Sequence, residues 1–326
     1  MISAANARPT AHRHDLRVAL LFLAPNLLGF LLFTLGPVVF SLGASFTNWD
    51  LQRPGQTHWI GIENFRELWA DSQFWLYLCN TVYLMIGIPV SIAASLGIAM
   101  MLNQKLRGII VYRTLLYLPS FTAGVALMIL WKALYNPDYG PINAIINSIF
   151  HCLGITGISA PRWLGSLDNL LGLQPEHLKP SLHFFGVGAR DALIIMGIWT
   201  VAGGNSMLLY LAALTNVPNE LYEAASLDGA GHWSSFWSVT WPQLAPTTFF
   251  IMIMSLIGGL QGGFEQARLM TQGGPAGTTT TLAYYIYTQA FEHFQIGYAS
   301  AISWVLFLMI FVFTLTYWRF GKQEIH

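Results

Sequence analysis

Charge is what this sequence has least of. Only 9% of its 326 residues are Asp, Glu, Lys or Arg, where an ordinary soluble domain carries about 25%. Fifteen basic and 15 acidic side chains cannot cover a folded chain of this length in water, so much of the surface has to face lipid. The formal net charge is zero, which excludes a nucleic-acid binder, because such proteins grip phosphates through many Lys and Arg. Disorder is excluded as well, since 54% of the residues are hydrophobic. Cysteine is almost absent: Cys79 and Cys152 stand in apolar surroundings without metal-ligand spacing or a disulfide framework, and read as structural thiols.

Equally absent is any G-x-x-x-x-G-K-[ST] loop, whose backbone amides and lysine hold nucleotide phosphates, so the chain does not itself burn ATP. There is no H-E-x-x-H pair and no G-x-S-x-G elbow, and the nine histidines are scattered. The sequence therefore reads as no enzyme, with no metal site and no cofactor of its own.

What is present is long apolar runs. A bilayer core of roughly 30 Å needs about 20 mostly apolar residues in a helix. Six stretches meet that length: Val18 to Phe46, Phe74 to Leu102, Ile109 to Leu134, Ala192 to Leu214, Thr247 to Met270 and Tyr298 to Trp318. Lipid offers no partners to backbone amides and carbonyls, and the runs are too long for barrel strands, so an all-α polytopic membrane protein is expected. The first run follows Arg8, Arg13 and Arg17 and is too long for a cleaved signal, so it reads as an uncleaved anchor. Orientation follows from Lys and Arg in the short flanks. The N-terminal arginines, Lys105, Arg107 and Arg113, and Arg319 and Lys322 fall on one side, which is expected to be cytoplasmic. Arg53 and Arg66 fall opposite, with Arg162, Lys179 and Arg190 in a second, longer outer loop. The expected organisation is a cytoplasmic N-terminal segment at 1–17, one transmembrane domain at 18–318 and a cytoplasmic tail at 319–326.

Two connections carry structure of their own. In the outer loop at 135–190, Ile142, Ile145, Ile146, Ile149 and Phe150 repeat at helical spacing after Pro141, as in an amphipathic helix lying on the outer interface. The following stretch, Gly154 to Gly188, is rich in Gly, Pro and Leu and is expected to cap the bundle. In the cytoplasmic loop at 215–243, Pro218 suits the first turn of a helix and Gly229 its end, leaving about three turns between them. Leu221, Ala224, Ala225 and Asp228 share one face of that helix. Glu220, Glu223 and Asp228 give it acidity, and no Lys or Arg occurs from Thr215 through Leu244, which points to docking on a basic partner. The alternative is a connector whose helix merely caps the bundle.

The fifth run holds Gly258, Gly259, Gly262 and Gly263, each weakening a helix by roughly 1 kcal/mol against alanine. Loosened helices near the membrane middle commonly line solute cavities, and Ser255 and Gln261 are the candidate hydrogen-bonding groups there. The alternative is tight helix packing on the glycines. Glu265 and Arg268, three apart, are expected to pair with each other. In the fourth run, Trp199, Gly203, Gly204, Asn205 and Ser206 repeat the theme, with an aromatic face for a sugar ring and an amide for its hydroxyls. An interfacial tryptophan is the alternative for Trp199.

These residues resemble a known family. Glu223-Ala224-Ala225, then Gly229, then an apolar residue before Pro242, is similar to the EAA loop of membrane subunits in binding-protein-dependent ABC importers. Leu23-Ala24-Pro25-Asn26 with Pro37, Gly61-Ile62-Glu63-Asn64-Phe65 and Asn80-Thr81 resemble its sugar-importing branch, of the maltose and glycerol-3-phosphate type. So do Leu269-Met270-Thr271-Gln272-Gly273-Gly274-Pro275, Ala290-Phe291 and Gly297-Tyr298-Ala299-Ser300-Ala301. The resemblance implies the type I importer permease fold in a bacterial plasma membrane. It also implies a second permease subunit, two ATP-binding subunits that carry ATP and Mg, and an extracytoplasmic solute-binding protein. Carried over, Glu223 would pair with a basic residue of the ATP-binding subunit, Ala224 and Ala225 would let the helix sit deep, and Gly229 would make the turn. The chain departs from the family in Trp241-Pro242, where Leu-Pro is usual, and in an outer segment from His151 to Gly188 longer than in its simplest members. Two rivals stand beside this reading: a stand-alone secondary transporter or channel, for which only Glu265 offers an intramembrane carboxylate, and a non-transporting scaffold.

Overall fold

A computed structural model describes residues 9–104, 107–122, 124–155, 159–172 and 186–321. Among them the long elements are helices, and β pairing is limited to isolated bridges of Thr47 with Trp59 and Asp50 with Gln295. The first apolar run forms α1 (Pro9–Phe30) and α2 (Gly36–Ala44), joined by a π turn at Leu31–Leu35. After α3 (Glu63–Ala70), the second run forms α4 (Ser72–Leu84) and α5 (Gly87–Leu102). The third run forms α6 (Ile109–Phe121) and α7 (Gly124–Leu134), and the segment after it carries α8 (Pro141–Cys152). The fourth run forms α9 (Ala189–Ala202) and α10 (Asn205–Thr215), followed by the short α11 (Asn219–Leu227) and α12 (His232–Ser235). Then come α13 (Trp241–Gln261), α14 (Leu282–Tyr287) and α15 (Ile296–Gly321).

Among the described residues, five stretches are long and apolar enough to cross a membrane as continuous spans: Val18–Ala44, Ser72–Leu102, Ala189–Thr215, His232–Gln261 and Ile296–Arg319. The third expected span is instead a bent pair, α6 and α7 meeting at 98°. Pro119 removes a ladder amide in the last turn of α6, and Thr122 then leaves the helical region for an extended conformation. The fifth span also differs from expectation. It begins earlier and stops at Gln261, because Gly262 is extended and Gly263 takes φ +86°, where an added Cβ would also strike Thr281.

Proline explains two further irregularities. The π turn Leu31–Leu35 closes with the Gly36 amide on the Leu31 carbonyl, and the π turn Phe236–Thr240 closes with the Trp241 amide on the Phe236 carbonyl. Both are bonds five residues back, and in both the next residue is proline, Pro37 or Pro242. Proline has no amide to donate and its ring crowds the carbonyl four residues back, so the helix widens by one residue just before it.

The chain divides into two compact units, residues 1–68 with 289–304 and residues 69–288 with 305–326. In the first, the buried Asn64 donates through Nδ2 to the carbonyls of Ser45 (2.8 Å) and Thr47 (2.9 Å). Phe46 stacks on Trp59 at 5.3 Å. Gly297 lies so close to the Thr47 carbonyl that a side chain would overlap it, and its amide donates to Trp49 O at 3.0 Å. The apolar side chains of Val18–Ala44 are largely exposed within the chain, Phe22 and Phe33 by more than four-fifths.

The second unit has two cores. One packs α5, α10 and α13 through Leu96, Ala99, Met207, Tyr210, Leu244 and Ile251. The other gathers Leu127, Trp131, Tyr135, Trp163, Met196 and Met270. Burial pushes the Tyr135 phenol well above the ordinary tyrosine range, and it donates to the Ala192 carbonyl at 2.9 Å. The buried Asp191 accepts from the Tyr83 phenol (2.8 Å) and the Leu170 amide (2.9 Å), while Arg190 Nε donates to Thr278 O (3.0 Å). On α8 the expected apolar face is divided. Ile142 and Ile146 pack on the second core, whereas Ile145 and Ile149 are exposed. Of the segment expected to cap the bundle, 156–158 and 173–185 lie outside the described residues; so do Arg8, Lys105, Lys179 and Lys322 among the residues that set the expected orientation.

Candidate coupling helix and solute path

The acidic loop between the fourth and fifth spans is a short helix with a defined stop. Pro218, extended at φ −61°, leads into α11, and Gly229 at φ +79° ends it. The Gly229 amide donates to Ser226 O at 3.1 Å and the Ala230 amide to Ala225 O at 2.9 Å. That pair of bonds satisfies the last carbonyls of the helix and needs a left-handed residue, which glycine adopts without strain. No residue of α11 is buried. Glu220, Glu223, Ala224 and Asp228 are exposed, and Ala225 is half-buried. Leu221, Ala225 and Asp228 line one wall of a groove of about 530 Å³ whose other wall includes Ser234, Ser238 and Val239. Leu227 is 89% exposed at the helix end.

None of the three acids finds a cation: among the described residues the ion pair is Arg66 with Glu63, at 3.5 Å. Tyr222 was missed by sequence reasoning. Its phenol lies 3.0 Å from the Thr240 hydroxyl and so ties α11 to the base of the fifth span, directly before Trp241 and Pro242. A tyrosine in an exposed helix gives no signal of such a bond until the chain folds back.

The candidate path residues fall in two places. Asn205 opens α10 after the Gly203-Gly204 break and accepts from the Tyr117 phenol of α6 at 2.8 Å. Ser206 beside it is half-buried, and Trp199 on α9 is half-exposed with its ring edge-on to Trp131 at 5.4 Å. Ser255, half-buried, and Gln261, exposed, lie on α13. None of the five lines the cavity of about 200 Å³ that α13 shares with α4, α5 and α9. The glycines differ in their surroundings. Gly259 packs within 2.9 Å of Met85 Cγ, counted from an added Cβ, whereas Gly258 faces open space.

The expected Glu265–Arg268 pair does not form. The Glu265 carboxylate is seated against Gly124 at the start of α7, where a helix N-terminus favours an anion. The Arg268 guanidinium lies over the Tyr287 ring at 4.3 Å and the Phe264 ring at 5.7 Å. A helix start and an aromatic face have each outbid a pair that is worth only a few tenths of a kcal/mol.

A polytopic helical chain with an exposed, acid-bearing helix on a loop between two spans fits the membrane subunit of a transport system. Residues 87–321 match the family described as "Binding-protein-dependent transport system inner membrane component". The chain is 34% identical to the "Probable ABC transporter permease protein YesP" of Bacillus subtilis (strain 168), over 96% of this chain and 93% of that protein. It is 33% identical to the "Lactose transport system permease protein LacF" of Rhizobium radiobacter, over 93% of this chain and 94% of that one. In fold it is similar to a chain of a bacterial ABC transporter involved in import of the acidic polysaccharide alginate, with a TM-score of 0.75 at 24% identity, covering 96% of this chain and 98% of that one. The chain belongs to the family of inner-membrane components of binding-protein-dependent transport systems. It is a multi-pass inner-membrane permease subunit of an ABC importer and not the ATPase, which removes the stand-alone transporter and the scaffold as readings.

Proposed function

We propose that this subunit forms half of the translocation path for a sugar, an oligosaccharide or a glycerol-phosphate-like solute, paired with a second permease subunit. Two ATP-binding subunits, carrying ATP and Mg, sit on its cytoplasmic side, where both termini lie, and a solute-binding protein delivers from outside. The permeases for lactose and for other saccharides among its relatives support the solute class. Glu220, Glu223, Ala224, Ala225, Asp228, Gly229 and Pro242 belong to the coupling element, with α11 seated in a cleft of the ATP-binding subunit and Glu223 paired to a basic residue there. Closure of the ATP-binding subunits moves α11, and the motion passes to the fifth span through the continuous turns from His232 onward. Trp199, Asn205, Ser206, Ser255 and Gln261 then meet the solute's rings and hydroxyls.

The observation that carries this reading is α11 itself: a capped helix, exposed along its length, acidic, and without a cation among the described residues. The test is mild-detergent purification of the tagged chain from its own host, with mass spectrometry of stoichiometric companions. A second permease chain and an ATP-binding subunit are expected. The chain alone, still transporting when ATP is withheld, would overturn the proposal.

A further inference from the structure

We infer that Arg268, the rings of Phe264, Tyr284 and Tyr287, and Lys132 form a subsite for a saccharide bearing a carboxylate or phosphate, at the outer side of the permease. This deepens the solute reading above and rests on it. Phe264 lies 5.0 Å from Tyr287 and 6.1 Å from Tyr284, centroid to centroid, so three half-buried rings share one patch beyond the end of α13. Arg268, exposed, lies with its guanidinium carbon 4.3 Å from the Tyr287 ring centroid. A guanidinium held over an aromatic ring still has five N–H donors to offer a planar, bidentate anion.

Among the described residues no carboxylate pairs with Arg268. Glu265, the nearest acid in sequence, is turned to Gly124. A second cation is at hand, because exposed Lys132 places Nζ 3.5 Å from the carbonyl of Leu269, the residue after Arg268. Rings suit the apolar faces of a pyranose, as they suit other flat ligands, and a cation with no counter-ion adds a demand for negative charge. A neutral sugar answers only the first demand and an inorganic anion only the second; a uronate or phosphorylated saccharide answers both. A lipid phosphate shares the anion chemistry, and the test separates it.

The whole importer complex is placed in nanodiscs of phosphatidylcholine, and saturation-transfer NMR follows trigalacturonate and, separately, neutral maltotriose. Trigalacturonate is expected to bind the unaltered complex and to lose at least tenfold in affinity in Arg268→Gln, while Arg268→Lys keeps part of it and contact with maltotriose is unchanged. Variants are compared only as complexes of equal subunit stoichiometry, and Lys132→Gln serves where Arg268→Gln fails to assemble, with a smaller loss in the same direction expected. Absence of trigalacturonate binding to the unaltered complex, or equal loss for both saccharides, overturns the subsite. So does a loss confined to phosphatidylglycerol added to the discs, which would make it a lipid site. The importer reading fails separately, by absence of ATP-driven uptake of any saccharide in the same complex.

Discussion

The Tyr222 phenol and the Thr240 hydroxyl lie 3.0 Å apart, so the exposed helix α11 is fastened to the turn that opens the fifth span by a side-chain bond as well as by the backbone. Thr240 is buried and immediately precedes the Trp241-Pro242 step at which the helix has widened. In the proposed coupling, a push on α11 would meet the span at this π turn. Tyr222→Phe removes that bond and little else, worth about 1 kcal/mol. Subunit assembly should be unchanged, and ATP hydrolysis stimulated by the loaded binding protein should fall about two- to fivefold in proteoliposomes. Unaltered stimulation would show the bond to be incidental to coupling.

Charge reversal at Glu223 is the harsher change. The residue is exposed and has no cation within the described chain, so its partner is expected on another subunit. Glu223→Arg sets like charges opposite each other, at a cost of about several kcal/mol, and coupled uptake should be abolished. Glu63→Gln is the control, because it removes only an exposed pair with Arg66 at 3.5 Å, and uptake should be unchanged.

Gly229 tests the end of the proposed coupling helix. Its φ of +79° costs a β-branched residue about 1–2 kcal/mol or more, and valine there should fray the turn held by the Ala230 amide on Ala225 O. Faster chymotryptic cleavage near Leu227 and weaker coupling are expected for Gly229→Val. Gly229→Asn should lie between valine and glycine, since asparagine tolerates the left-handed region.

Asn205 and Gln261 test the solute path. Asn205→Leu and Gln261→Leu should lower ATP-driven uptake while the purified complex keeps its stoichiometry. Tyr117→Phe, which removes the phenol that donates to Asn205 at 2.8 Å, should have a smaller effect of the same sign. Uptake kinetics unchanged in both leucine variants would take these residues off the path.

Asn64 tests the first unit. Asn64→Leu strips the Ser45 and Thr47 carbonyls of their side-chain donor in a buried place, and each loss costs about 1–3 kcal/mol. A lower melting temperature and faster proteolysis between Phe46 and Ile62 are expected, with the other subunits of the importer still bound.

How far the sequence could be read depended on the range of the forces involved. The helix proposed to couple was legible almost to the residue. Pro218 and Gly229 act on their own backbone, and the observed helix runs from Asn219 to Leu227 between them. The third span was not. Its apolarity is uniform from Ile109 to Leu134, and composition does not register the bend that follows Pro119 and Thr122. For Glu265 and Arg268, spacing allowed a pair, but their actual partners are Gly124, far back in the chain, and Tyr287, on a later helix. Tyr117 and Tyr222 likewise gained their bonds only through contacts distant in sequence.

By itself the sequence determined that this chain lives in lipid, that it cannot supply its own ATP chemistry, and that an acidic capped helix stands between its fourth and fifth spans. Those outcomes follow from composition and from interactions within a few residues, which act whatever the rest of the chain does. The tertiary structure decided which charges find no counter-ion among the described residues: the acids of α11 and the guanidinium of Arg268. A side chain is unpaired only after every distant competitor has taken its place, and that competition is settled by packing.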